Sequence, residues 1–115
     1  MFSENARQVI WEELERGDSA RSAGNEGRAR VCARRAAGAA SREYLRLCGD
    51  PAGSNPAISL FELLGEIQRI ASVPVRVKEA AQHLVLKVDL NHNLPEMVDL
   101  LADARILISE LEQLV

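Results

Sequence analysis

Alanine falls at positions 29, 33, 36, 37 and 40, and Tyr44 and Leu47 continue the series. At about 100° of turn per residue, these positions share one face of a helix. So small a face lets a neighbouring helix approach closely, because no bulky side chain holds the two backbones apart. A chain with this seam is committed to packing helix on helix.

The remaining segments agree. Apolar residues recur at the helical period at Ala6, Val9, Ile10 and Leu14, and more weakly at Ala20 and Ala23. They do so again at Ile58, Phe61, Leu64, Ile67 and Ala71, and at Val77, Ala80, Ala81, Leu84 and Val88. The last such series is Met97, Leu100, Leu101, Ala104, Leu107, Ile108 and Leu111, and no stretch alternates at period two. Punctuation divides the chain into five helices. Ser3 is an expected N-cap, Gly17-Asp18-Ser19 should loosen the last turns of the first helix, and Gly24 to Gly27 ends it. The second helix should run from Glu26 to Cys48, stopped by Gly49 and Pro51. The loop `GDPAGSNP` lacks the ending of a phosphate loop and reads as a plain connection. Pro56, Pro74 and Pro95 should open the third, fourth and fifth helices. Connections this short join antiparallel neighbours. The expected fold is therefore all-α, a single domain over residues 1–115. It is an up-and-down bundle of five helices, a long hairpin followed by three more.

At 115 residues the chain can bury a core without disulfides. `MFSENARQVI` has neither a basic start nor a long apolar run, so no signal peptide is expected, and no segment has the length of a membrane span. Cys32 and Cys48 lie sixteen residues apart on one expected helix, about 24 Å along its axis, beyond disulfide reach. Reduced thiols fit a cytoplasmic protein. Neither cysteine has a Cys or His partner at metal-ligand spacing, so no metal is expected, and no motif implies a cofactor.

Net charge is −3, yet residues 1–50 hold nine arginines against eight acids. Arg28, Arg35 and Arg42 repeat every seven residues on the second helix, with Arg46 extending the stripe and Arg30 and Arg34 on another flank. An arginine row can follow phosphates or clamp an acidic partner. No aromatic residue interleaves with it to stack on bases, and the acidic balance argues against a general nucleic-acid binder. The row is expected to be mainly a solvated face, with Arg42 within reach of Glu12, Glu13 and Glu15 on the first helix.

The element order and three stretches resemble the HEPN domain family. `RRAAGAASREYL` is similar to that family's Ala-rich second helix, with Arg42 at its Lys position and Gly38 where a Glu usually stands. `SLFELLGEI` resembles its third helix and `LADARILISELEQL` its closing one. The resemblance implies a small all-α domain, often dimeric and often encoded beside a minimal nucleotidyltransferase. RNA-cutting toxins of the family carry an Arg followed after four to six residues by a His, a spacing that Arg76 and His83 satisfy. There a neutral His would act as general base on a ribose hydroxyl while Arg stabilises the phosphorane charge. Val77 follows Arg76 where those nucleases usually have a polar residue, and the pair sits earlier than the family motif. The motif's expected place is the turn `NHNLP`, where Asn91 and His92 are candidate contacts for a nucleotide or other small ligand.

Two further apolar sets, Val75, Leu86 and Leu90 on the fourth helix and Val98, Ala102 and Ile106 on the fifth, lie opposite the core faces. Helices apolar on two sides are either buried at the centre or call for a partner, and central burial fits one helix of so small a domain better than both. The expectation is a non-catalytic, HEPN-like interaction module that forms a homodimer and serves a nucleotidyltransferase, another chain or a nucleotide. The alternatives are a toxin ribonuclease using Arg76 and His83, and a structural bundle unrelated to that family.

Overall fold

The computed structural model describes residues 1–86 and 98–115. Among them are five α-helices: α1 (Glu4–Ser22), α2 (Glu26–Leu47), α3 (Leu60–Arg69), α4 (Val75–Leu84) and α5 (Leu100–Gln113). A single 3-10 turn, Pro51–Ser54, lies between α2 and α3. The all-α bundle expected from periodicity is the fold.

Helix ends follow local chemistry. Ser3 caps α1 by accepting from the Ala6 amide, Asn25 caps α2 through the Arg28 amide, and Asp99 caps α5 through the Ala102 amide. α1 and α2 both stop in the same motif. Gly24 (φ 80°) and Gly49 (φ 79°) take left-handed conformations. The amides of Asn25 and Asp50 then reach back to the carbonyls of Ala20 and Leu45 at 2.8 and 2.9 Å.

α2 is the central element, and α1, α3, α5 and the 3-10 turn all pack on it. Its Ala29, Ala33, Ala36, Ala37, Ala40 and Tyr44 are buried as the seam requires, whereas Leu47 turns out to be exposed. Gly17 is likewise no weak point. α1 continues through it to Ser22, and a Cβ there would lie 2.7 Å from Leu101 Cδ2 and 3.3 Å from Cys32 Cβ. The missing side chain lets α5 and α2 close on α1. Gly38 does the same for α3, since a Cβ would lie 2.7 Å from that of Leu60.

The inward faces of α4 (Val77, Ala80, Ala81, Leu84) and α5 (Leu100, Leu101, Ala104, Leu107, Leu111) are buried as expected. Three expectations need correction. Val9 is exposed, on the flank of α1 rather than its core face. α3 begins at Leu60, not Pro56, because Ser59 caps it by accepting from the Glu62 amide. This later start leaves Ile58 ahead of the helix, and Phe61 and Ala71 on the surface. α5 begins at Leu100 under its Asp99 cap; Pro95 and Met97 lie outside the described residues, as does Val88.

Candidate functional site

The arginine row of α2 divides in two. Arg28 and Arg35 are exposed, and neither guanidinium has a hydrogen bond or ion pair among the described residues. Arg42 does not approach the acids of α1. Its guanidinium donates to the carbonyls of Asn55 and Ile58, both at 2.6 Å, and so ties the α2–α3 connection to α2. Arg46 donates to Glu43 Oε1 at 2.8 Å. Glu43 is 6% exposed and also accepts from the Ser3 amide at 2.7 Å. Arg46 above all, and then the Ser3 amide, hold its carboxyl down at about 2, against the opposing effect of burial. No continuous phosphate-following row is presented.

Arg34, on the other flank, has a structural task that its sequence position does not announce. It donates to the carbonyls of Leu84 (2.9 Å) and Leu86 (3.0 Å) and so satisfies the C-terminal end of α4. Burial draws its guanidinium below the usual value, with Arg30 adding to the effect. Arg21 forms a similar node, bonded to Glu26 (2.6 Å) and Asp99 (3.0 Å), and these partners raise its pKa. It joins the end of α1 to the starts of α2 and α5.

Arg76 and His83 stand on the side of α4 that faces α5, at opposite ends of the helix. Seven residues separate their Cα atoms by about 10.5 Å along the axis. Each meets a carboxylate, Arg76 with Glu110 at 3.5 Å and His83 Nδ1 with Asp103 Oδ2 at 3.1 Å. Glu110 and Asp103 are also seven residues apart, so the four side chains form two rungs between antiparallel helices. Burial raises the Asp103 carboxyl above its ordinary value, while the nearby His83 pulls it the other way. His83 is thus half-buried and engaged with α5, not simply solvent-facing. Asn91 and His92 lie outside the described residues.

The second apolar sets do not persist as stripes. Val75 is exposed, but α4 ends at Leu84, before the half-buried Leu86; Leu90 lies outside the described residues. Val98 precedes α5 and packs against the core, Ala102 is exposed and Ile106 is half-buried.

An apolar surface does exist, elsewhere. Between α1 and α5 runs a groove of about 260 Å³ lined by Phe2, Ile10, Trp11, Leu14 and Ile108, with Arg7 and Glu112 at its edge. Trp11 is 59% exposed at its mouth. Ion pairs from Arg7 to Glu112 (2.8 Å) and from Arg105 to Asp18 (2.6 Å) bridge the same two helices. Periodicity leaves Trp11 off the core face, but only the packing of α5 shows that it borders a groove.

Among the described residues no group of three His, Cys, Asp or Glu side chains converges as a metal site would require, and Cys32 and Cys48 are free. No helix among them is long and apolar enough to cross a membrane. Comparison with known protein families, characterised proteins and solved structures gives no match to this chain.

Proposed function

We propose that this chain is a non-catalytic, HEPN-like interaction module that acts by holding another chain, as a homodimer or beside a nucleotidyltransferase. The observation that carries this reading is Trp11, an indole left in solvent at the mouth of an apolar groove. A large exposed aromatic beside apolar walls is the usual make-up of a binding hot spot. The α4–α5 rungs support it too, since Arg76 stands at the far end of α4 from His83, about 10.5 Å away along the axis, and is already engaged with Glu110. Native mass spectrometry of the protein isolated from its own cells tests the proposal. A homodimer or a defined second chain is the expected result, and a bare monomer would overturn it.

The His83–Asp103 contact favours one second reading, a ribonuclease. A carboxylate on Nδ1 fixes the imidazole tautomer and orientation, as a general base requires. On the interaction-module reading, neither the wild-type protein nor His83→Ala cleaves RNA. Cleavage by the wild type that the substitution abolishes would establish the nuclease instead.

A further inference from the structure

A larger cavity, of about 650 Å³, opens between α1 and the start of α2 and shares no residue with the α1–α5 groove. Ala20 and Ala23 line it with methyl groups, and four charged side chains border it. Two of these are engaged within the protein. Arg16 pairs with Glu13 at 3.0 Å and stands 3.9 Å from Glu12, which also accepts from Gln8 at 2.8 Å. The other two are Glu15 and Arg28, one anion and one cation, and neither side chain has a partner among the described residues.

Backbone spacing keeps these two opposite charges from closing on each other. Gly17 faces Cys32 across the antiparallel hairpin, since a Cβ on it would lie 3.3 Å from that of Cys32. Arg28, four residues before Cys32, is therefore level with Arg21, and Glu15 stands about 9 Å away along the axis. An exposed ion pair gains too little to hold two long side chains stretched over such a gap. The cavity thus presents one free charge of each sign, set apart, with Ser19 and Ala20 falling between them along α1.

The geometry points to a binding site for a small extended zwitterion, a molecule with an ammonium group at one end and a carboxylate at the other, such as an ω-amino acid or a dipeptide. The guanidinium fork of Arg28 takes the carboxylate in paired hydrogen bonds. Glu15 takes the ammonium, with the Ser19 hydroxyl one turn further on as a second acceptor, and the alanine methyls meet the chain between the two ends. A nucleotide does not suit the cavity. Its phosphates would face Glu12 and Glu15, and no aromatic side chain among the described residues lines the cavity to stack on a base. The inference goes beyond the interaction-module reading and does not depend on it.

Titrating the isotope-labelled protein with ε-aminocaproate while following its amide resonances tests this. Shifts should centre on Ser19, Ala23, Asn25 and Arg28 and saturate at ligand concentrations on the order of millimolar. Caproate and hexylamine, which carry one charge each, and glycine, which is too short to span the gap, should bind weaker by about tenfold or more. Arg28→Gln and Glu15→Gln, both at exposed positions, should each weaken ε-aminocaproate to a similar extent, with the rest of the amide spectrum unchanged. The exchanged variant Glu15→Arg/Arg28→Glu should bind it again, with the ligand reversed. Absence of shifts, equal shifts with caproate or hexylamine, or binding that survives both single substitutions overturns the inference. None of these results touches the interaction-module reading, which stands on Trp11. A bare monomer that binds ε-aminocaproate overturns that reading and supports this one.

Discussion

Glu43 ties the start of the chain to the end of α2 through one carboxylate. One oxygen holds the amide of Ser3, the cap of α1, and the other holds Arg46 at the end of α2. Phe2, next to Ser3, is buried, so this carboxylate keeps the start of the chain in place. Its folded pKa of about 2 lies below the unfolded carboxylate value. The contribution is therefore fully present above about pH 4.5 and is lost as pH falls through that value towards 2. Allowing for solvent screening of the half-exposed Arg46, it amounts to on the order of 2 kcal/mol. Glu43→Gln should lower the melting temperature at pH 7, and the gap to the wild type should close progressively below pH 4.5. A gap independent of pH would mean that the carboxylate's charge is not what stabilises this corner. None of this is legible in the sequence, where Glu43 looks like one more acid beside an arginine. Arg34 and Arg42 are hidden for a related reason, since their partners are backbone carbonyls, which every residue type carries alike.

At the scale of elements, the seam of α2 is the most legible feature, because alanine spacing translates directly into a face. Helix starts are less so. Pro56 is a sound N1 residue in isolation, but Arg42 takes the carbonyls of Asn55 and Ile58, and Ser59 offers a better cap to the residues that follow. Glycines inside helices are equally opaque from sequence. By helix propensity alone Gly38 and Gly65 would weaken their helices alike, since glycine costs a helix about 1 kcal/mol relative to alanine. Their surroundings separate them. A Cβ on Gly65 would meet nothing nearer than the flexible end of Arg69 at 3.9 Å, whereas one on Gly38 would strike the Cβ of Leu60 at 2.7 Å. Gly65→Ala should therefore stabilise the protein by about 0.5–1 kcal/mol through helix propensity alone. Gly38→Ala should destabilise it by about 1–3 kcal/mol, because α3 must move off α2 to make room. Urea denaturation measures both, and opposite signs are the expected outcome.

The whole molecule is built around α2. Its 22 residues span about 33 Å, most of the 40 Å long dimension. α1 lies along α2 for most of its length and touches α5 more narrowly, through the close approach of Gly17 to Leu101 and the ion pairs Arg7–Glu112 and Asp18–Arg105. α4, by contrast, rests on α3 and α5 and scarcely on α2. An element held mainly by neighbours that are themselves peripheral can open without unfolding the centre, so local stability should fall from α2 outwards. Hydrogen exchange under native conditions should show the amides of Ala33 to Leu45 exchanging only through global unfolding. The α4 amides should open at a lower free energy, together with α3. The rungs Arg76–Glu110 and His83–Asp103 do not change this ranking, because partly exposed ion pairs contribute little individually. Uniform protection across all five helices would mean that α4 is bound as tightly as the centre, and α2 would no longer be the element on which the others depend.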